Sequence, residues 1–174
     1  YQTAWLKTYY PAEFMACNLS SDLLNTDSIV KLLRNIKLLD IKVMAPNVNS
    51  SSTEFLSQDK NTLIYGLAAI KNVGYKSIEK LVDYRQQNGH FKTLFDLCKI
   101  GSQSMNKKVL ESLIKAGACD ELEGTRAQQY NLISQAIKFG QKYTEETNSS
   151  QFSLFSNKEI NSIYKKPILS DVID

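Results

Sequence analysis

Apolar residues recur at intervals of three and four along much of the chain. Between residues 26 and 39 this spacing predicts an amphipathic helix, with Asn25, Thr26 and Asp27 as candidate caps. The Tyr10-Pro11 step is expected to end a preceding helix over residues 1–9, because the residue before proline is disfavoured in a helix. Residues 12–19 predict a second, short helix. The apolar face of the helix predicted at residues 26–39 consists of Ile29, Leu32, Leu33, Ile36 and Leu39.

The pattern changes between residues 41 and 65. Residues 41–44 and 62–65 favour strands, separated by a polar loop at residues 47–53. After residue 66, short helices are expected at residues 76–87, 107–115 and 125–139, with glycine-containing turns between them. The fold class predicted is therefore mainly α, with a small element of two or three strands.

Residues 143–150 are rich in Thr, Glu, Asn and Ser, which is typical of a linker. We expect three regions: residues 1–65 with the β element, a helical domain over residues 66–140, and a linker and flexible tail over residues 141–174.

Composition narrows the class of protein. Hydrophobic residues make up 43% of the chain and charged residues 22%, as in ordinary soluble proteins. No apolar run is long enough to cross a bilayer, and no leader pattern is visible, so a cytoplasmic location and no membrane partner are expected.

The chain opens at Tyr1 without an initiating Met, which suggests a piece of a longer protein. The three cysteines lack CxxC spacing and are expected to be reduced and buried; with one His, no metal site is predicted.

The net charge of +3 is unevenly distributed. Nine basic and four acidic residues lie between Ile70 and Lys115, a local excess of five positive charges. Such an excess favours a polyanionic partner, although a well-solvated surface has the same composition. The charge pattern alone leaves both interpretations open.

Residues 66–82 carry the most informative motif. A helix, a tight hairpin at Asn72-Val73-Gly74 and a second helix are expected, which resembles the helix-hairpin-helix motif with its Gly-hydrophobic-Gly hairpin. We expect positive φ at Gly74 and at Asn72, which stands where the first glycine is usual and tolerates that conformation. Backbone at such a turn can approach a phosphate, and amides opening the second helix point at it. A plain helical corner closed by Gly74 for packing is the alternative.

A second, more degenerate copy is expected at residues 113–120, with its second helix starting near Thr125. Main-chain amides do not distinguish bases, so tandem motifs of this kind predict sequence-nonspecific binding of double-stranded DNA. The DNA-binding residues predicted are Ile70, Lys71, Asn72, Val73, Gly74, Lys76, Ser77, Lys115 and Gly117.

Five stretches, at residues 1–7, 10–16, 65–74, 91–98 and 110–120, resemble the bacterial replicative DNA polymerase III alpha subunits in order and approximate spacing. The resemblance covers roughly residues 1–140 and implies the end of a fingers domain followed by tandem helix-hairpin-helix motifs. It also implies a parent DNA-directed DNA polymerase whose palm, with its Mg²⁺-binding aspartates, lies upstream. We therefore expect no catalytic residue, no metal site and no cofactor in this chain. Asp120, Glu121 and Glu123 are assigned to a turn between helices.

A pentapeptide in the tail adds a second expected partner. Gln151, Phe152, Ser153, Leu154 and Phe155 resemble the motif with which bacterial proteins dock on the sliding clamp. Leu154 and Phe155 would fill an apolar pocket on the clamp while Gln151 binds at its rim. The alternative is an apolar patch that folds back on the domain. The resemblance further implies contacts with other replicative polymerase subunits.

Two other functions fit parts of the sequence. Some DNA glycosylases combine a helix-hairpin-helix with a catalytic Asp about 20 residues later, and Asp96 lies at that distance. A helical protein-interaction scaffold without affinity for nucleic acid is the other alternative. Salt-dependent binding to random duplex separates the scaffold from a DNA-binding module.

Overall fold

The computed structural model describes residues 2–23 and 25–150. Within them the chain forms seven α-helices and one three-stranded sheet, which confirms the mainly helical fold with a small β element. In chain order the elements are α1 (Gln2–Tyr9), α2 (Pro11–Ser21), α3 (Thr26–Leu38), β1 (Lys42–Met44), β2 (Leu56–Asp59), β3 (Thr62–Ile64), a single 3-10 turn (Leu67–Ala69), α4 (Tyr75–Asn88), α5 (Leu94–Cys98), α6 (Lys107–Lys115) and α7 (Arg126–Ser150).

The predicted helix boundaries near the N-terminus are confirmed. Pro11 takes the first position of α2, where its missing N–H costs nothing. The Asn25 side chain caps α3 by accepting a hydrogen bond from the Ser28 N–H at 3.1 Å. Leu39, predicted on the apolar face of α3, instead follows the helix and is exposed.

The sheet has the order β1-β3-β2, with β1 parallel and β2 antiparallel to the central strand. The two predicted strands are β1 and β3. The third strand, β2, has the sequence Leu-Ser-Gln-Asp, which lacks the β-branched and aromatic residues that identify strands from sequence. Pairing with β3 makes it a strand.

Buried apolar residues form two clusters. The N-terminal core joins α2 and α3 to the sheet and consists of Ala12, Met15, Ala16, Leu19, Ile29, Ile36, Ile41, Phe55, Leu63 and Ala69. The C-terminal core contains the buried apolar residues of α4, α5, α6 and α7 and of the segments between them, together with Val48, Leu67, Ile70 and Val73. The Tyr65 ring packs against both clusters and so links them.

The segment at residues 47–53, predicted as a polar loop, is largely buried. Val48 lies in the C-terminal core. The Arg85 guanidinium donates hydrogen bonds to the carbonyls of Val48 (2.8 Å) and Ser51 (2.9 Å). The Asn49 side chain pairs with the backbone of Phe91 through two hydrogen bonds of 2.9 and 3.0 Å. Because these bonds satisfy buried polar groups, the segment packs with the helices that follow it.

Helix α7 continues to Ser150, so the expected linker at residues 143–150 is wrong. Phe139 makes an edge-to-face contact with Phe95, with ring centroids 5.6 Å apart, and stacks on Tyr143 at 6.4 Å. The Lys99 ammonium lies 5.6 Å from the centre of the Tyr143 ring. Tertiary contacts of this kind stabilise a helix whose composition alone does not favour one.

Two of the three cysteines are buried, as predicted, whereas Cys17 is exposed. Burial raises the pKa of Cys98 and of Cys119 to about 12, so both thiols stay protonated near neutral pH. Across the part of the chain that the structure describes, no helix combines the length and apolar character needed to span a membrane.

Candidate nucleic-acid interface

The first hairpin, residues 70–74, is a tight turn closed by the Val73 N–H, which donates to the Ile70 carbonyl at 3.1 Å. Asn72 has a φ of 67°. A turn of this kind requires positive φ at its third residue, which only glycine and asparagine adopt readily. The prediction that Asn72 takes the left-handed conformation is confirmed.

Val73 anchors the first hairpin to the protein. Its side chain is 8% exposed and lies in the C-terminal core. Lys71, Asn72 and Gly74 around it are exposed. The apolar middle residue therefore fixes the turn while its polar neighbours face solvent.

The start of α4 leaves amide groups open. The Ser77 and Ile78 N–H groups donate to the Gly74 carbonyl at 3.0 and 3.2 Å. The N–H groups of Tyr75 and Lys76 precede these bonds, and Gly74 offers no side chain to cap them. These amides carry the positive end of the helix dipole. With the exposed Lys71 and Lys76 beside them, they form a place suited to an anion.

Gly74 itself does not have positive φ, and that prediction is wrong. Its φ and ψ are −80° and 140°, because Asn72 alone supplies the left-handed step of the turn. A Cβ added at Gly74 would lie 3.6 Å from the Ser77 hydroxyl oxygen, an ordinary contact. Neither backbone angle nor internal packing requires glycine here. What the missing side chain provides is open access to the amides that begin α4.

The helix predicted before the hairpin is only one 3-10 turn. The Leu67 and Ala68 N–H groups donate to the carbonyls of Ser52 (2.9 Å) and Thr53 (3.0 Å), in place of helical partners. The approach is close, because a Cβ on Gly66 would lie 2.6 Å from the Glu54 carbonyl carbon. The segment at residues 47–53, called the buried loop below, therefore holds the residues before the first hairpin in place.

Tyr75 is an exposed residue of this site that sequence reasoning missed. Its hydroxyl donates to the Glu54 Oε1 at 3.0 Å. That hydrogen bond, then burial and the negative charge of Glu54, raise the pKa of Tyr75. The feature of the sequence that could have identified Tyr75 was its position directly after Gly74, in the first turn of α4.

The second hairpin, residues 116–125, begins where α6 ends at Ala116. Gly117 has a φ of 80°. Its N–H donates to the Ile114 carbonyl and the Ala118 N–H donates to the Leu113 carbonyl, both at 3.0 Å. This is the reciprocal pattern of a left-handed helix cap. The Gly117 amide is thus engaged within the protein.

An ion pair covers this glycine. The Arg126 Nε donates to the Asp120 Oδ1 at 2.6 Å. A Cβ on Gly117 would lie 2.6 Å from the Arg126 Nη2. The hydrogen bond from Arg126 outweighs burial and lowers the pKa of Asp120, so the carboxylate is charged at neutral pH. Because the Asp120 carboxylate neutralises the charge of Arg126, the pair offers no net positive charge to a phosphate at this turn.

Gln129 and a capped helix start complete the second hairpin. Gln129 is 1% exposed, and its Nε2 donates to the carbonyls of Cys119 (3.0 Å) and Gly124 (3.2 Å). At the start of α7, the Thr125 N–H donates to the Gln128 Oε1 at 2.9 Å and the Gln128 N–H donates to the Thr125 hydroxyl at 3.3 Å. The predicted helix start near Thr125 is confirmed, and this helix end is capped by its own side chains.

The buried loop joins the two hairpins. The Val48 N–H donates to the Ala118 carbonyl of the second hairpin at 2.9 Å. The same loop holds Arg85 of α4, which follows the first hairpin. The two hairpins therefore belong to one hydrogen-bonded unit.

This arrangement agrees with a comparison to known families, in which the model of the helix-hairpin-helix motif matches residues 40–129. The chain belongs to the helix-hairpin-helix family. The match spans both hairpins and the buried loop.

This helix-hairpin-helix chain is similar to several DNA polymerase III alpha subunits. It is 43% identical over 160 residues to that of Xylella fastidiosa Temecula1, 91% of this chain and 13% of the relative. The chain is 42% identical over 168 residues to the subunit of Buchnera aphidicola subsp. Schizaphis graminum, an alignment that covers 95% of this chain and 14% of the relative. It is 37% identical over 156 residues to the subunit of Escherichia coli K12, which covers 89% of this chain and 13% of the relative. The chain thus spans about one seventh of these relatives' length, and the resemblance to DNA polymerase III alpha is confirmed.

The structure brings seven of the nine predicted DNA-binding residues into one helix-hairpin-helix unit, the first hairpin and the start of α4. Ile70 and Val73 point into the core, while the lysines are exposed. Lys115 lies apart at the end of α6, with its ammonium 5.4 Å from the centre of the Tyr130 ring. Tyr130 of α7 is itself exposed. Gly117 is buried and its amide is occupied.

Asp96 serves as a helix cap. Its Oδ2 accepts hydrogen bonds from the Thr93 N–H and hydroxyl, both at 3.0 Å, and its Oδ1 pairs with the Lys99 ammonium at 3.2 Å. Burial alone would raise the pKa of Asp96, but the hydrogen bonds from Lys99 and Thr93 prevail and lower it. A carboxylate so engaged is a poor general base. Among the described residues, no group of three or more His, Cys, Asp or Glu side chains is arranged to hold a metal ion.

Proposed function

We propose that this chain is a duplex-binding region of a replicative DNA polymerase and holds a backbone phosphate at its first hairpin. The observation that carries the proposal is the uncapped start of α4, where the amides of Tyr75 and Lys76 are open to an anion. Lys71 and Lys76 add positive charge. Because amides and lysines contact phosphate and not base edges, binding is independent of sequence.

The parent in this proposal is a DNA-directed DNA polymerase. Its nucleotidyl transfer and Mg²⁺ belong to a palm domain outside this chain, and the chain itself supplies grip on the duplex and no catalytic residue. The family match and the polymerase relatives support this assignment. Other replicative subunits are its further partners.

Titration of random-sequence duplex at several salt concentrations tests the DNA-binding role. Affinity is expected to fall steeply between low and physiological salt, because each neutralised phosphate releases counterions. Affinity that ignores salt, or that depends on one sequence, contradicts the role and favours the scaffold.

A substitution at Gly74 tests the geometry of the site. Gly74→Asp places a carboxylate over the open amides and should lower duplex affinity by at least about tenfold. The same change caps α4, so stability should hold or rise by a few tenths of a kcal/mol, roughly. Lys108→Ala is the matched control, since it also lowers the net charge by one unit at an exposed position. Equal losses of affinity from the two variants would show that overall charge, and not the hairpin, determines binding.

We further propose that residues 151–155, which lie outside the described residues, dock on a sliding clamp. The support is the match of Gln151, Ser153, Leu154 and Phe155 to the clamp-binding pattern. A short docking peptide concentrates its energy in one or two anchors, so changing Leu154 and Phe155 together to Ala should abolish binding.

Titration of a labelled peptide spanning residues 149–156 against purified clamp measures this directly. The double variant of the whole chain should keep its folding and its duplex affinity. Absence of binding at high micromolar clamp, or unfolding of the double variant, rules out the docking role.

A further inference from the structure

An apolar groove with a basic rim lies between α3 and β1, away from both hairpins in the sequence. It has a volume of about 440 Å³, within the range of ligand-binding clefts. Its walls include Val30 and Leu33 of α3 and Val43 and Met44 of β1. Val30 and Met44 are 41% and 40% exposed, so these apolar side chains remain accessible in the folded chain.

The wall of the groove that β1 forms is an open sheet edge. Strand β1 pairs only with β3 in the described sheet, whose order is β1-β3-β2. The Lys42 N–H donates to the Asn61 carbonyl and the Met44 carbonyl accepts from the Tyr65 N–H. Because successive residues of a strand point their peptide groups to alternate sides, the N–H and carbonyl of Val43 face the open edge. An extended peptide can add to such an edge through main-chain hydrogen bonds.

The charged side chains that line the groove are all positive. Arg34 and Lys37 lie among its lining residues, spaced three apart on the exposed side of α3, and none of the described lining residues is acidic. Carboxylates on an incoming segment are therefore attracted, and lysines repelled.

The lining favours a polypeptide over single-stranded nucleic acid. Bases bind by stacking on exposed aromatic rings, whereas this groove is mostly aliphatic. Its one aromatic ring, Tyr65, is half-buried against Phe55 at a centroid distance of 4.8 Å. Aliphatic walls suit Val, Ile and Leu side chains.

We propose that this groove binds an extended segment of a protein partner in which apolar and acidic residues alternate. The segment adds a strand to β1 through Val43, places its apolar side chains between α3 and Met44, and directs its carboxylates to Arg34 and Lys37. The site is independent of the proposed phosphate site.

The probe is a pool of fluorescein-labelled hexapeptides in which Val, Ile or Leu alternates with Asp or Glu, titrated against the whole chain by fluorescence anisotropy. Saturable binding is expected, at least about tenfold tighter than for a pool with Lys at the acidic positions. N-methylation of the peptide backbone on one edge should abolish binding, because it removes the donors that pair with β1.

Variants locate the site. Arg34→Glu with Lys37→Glu should weaken the acidic pool at least about tenfold and strengthen the basic pool, and the milder Arg34→Gln with Lys37→Gln should weaken the acidic pool alone. Lys31→Glu with Lys60→Glu is the matched control, with the same charge change at exposed positions outside the groove. Thermal melting confirms that each variant is folded.

Three results overturn the proposal. The first is no binding of the acidic pool, or equal binding of both pools. The second is unchanged affinity in the Arg34 and Lys37 variants. The third is tighter, Arg34-dependent binding of oligothymidine, which would assign the groove to single-stranded DNA.

Discussion

The two hairpins share a motif but differ in whether their backbone amides are bonded within the protein. In the first, the turn ends on Gly74, and the amides that begin α4 are left without a cap. In the second, the amide of Gly117 is bonded within the protein, Asp120 and Arg126 lie over it, and Thr125 caps the following helix. The first presents donors to solvent, whereas the second bonds its turn amides and the Gln129 Nε2 within the protein, and leaves the buried Gln129 Oε1 without a hydrogen-bond partner.

The difference separates binding from stability. A hairpin whose polar groups are satisfied internally contributes to folding, because buried polar groups without partners are costly. A hairpin with open amides is slightly less stable in the free protein, because these amides have no partner within the chain. It is stabilised when an anion binds and accepts their hydrogen bonds. We therefore expect substitutions in the second hairpin to change stability, and substitutions in the first to change affinity for duplex DNA.

The largest effect is expected at Gln129. Gln129→Leu keeps the volume but leaves the buried carbonyls of Cys119 and Gly124 without their donor. The free energy of unfolding should fall by about 2–4 kcal/mol, measured by chemical denaturation. Duplex affinity under folding conditions should not change.

Gln86→Leu is the control for Gln129, since it makes the same change at an exposed position of α4. It should alter stability by less than about 0.5 kcal/mol. A loss of affinity with Gln129→Leu at full folding would mean that the second hairpin also binds DNA.

An intermediate effect is expected at Asn72. Asn72→Val forces a β-branched residue to a φ of 67° and should cost about 1–3 kcal/mol. It should also displace the turn and weaken duplex binding. Asn72→Gly retains the turn and should preserve both properties. If the valine variant binds duplex as tightly as the unchanged chain, the shape of the first hairpin is irrelevant to binding.

The smallest effect is expected at Asp120. Asp120→Asn loosens an exposed ion pair, so stability should change by less than about 1 kcal/mol. Removing the carboxylate also frees Arg126 for phosphate, and duplex affinity should rise about two- to fivefold. Since the pKa of Asp120 is lowered, its charge is constant from about pH 6 to 8, and the gain should be the same throughout. A decrease in affinity would contradict the account in which Asp120 keeps Arg126 from binding phosphate.

Local patterns predicted those parts of the fold that local forces determine. The helical spacing of apolar residues at 107–115 places Val109, Leu110, Leu113 and Ile114 on one face of α6, and all four are buried. The helix starts near Asn25 and Thr125 followed from their side-chain chemistry. The hairpin at Asn72 followed from the few residues that accept positive φ.

The remaining features depend on contacts distant in sequence. The loop at residues 47–53 is polar in composition and becomes buried because Arg85, more than thirty residues away, satisfies its carbonyls. Helix α7 extends past its predicted end, where Gly140 lies close to the Cys98 backbone and the Tyr143 ring lies beside the Lys99 ammonium. The ion pair between Asp120 and Arg126 joins residues only six apart, but it forms because the turn between them brings the two side chains together. A sequence motif locates a hairpin but does not tell whether its amides are available.

Residue-specific amide shifts during titration with random duplex test the central claim most directly. The chain is labelled with nitrogen-15 and followed as duplex is added at low salt. We expect the largest shifts at Gly74, Tyr75 and Lys76, with Gly117 and Arg126 nearly unchanged, and we expect added salt to reverse them. Shifts centred on Gly117 and Arg126, with the amides at the start of α4 unmoved, would contradict the account.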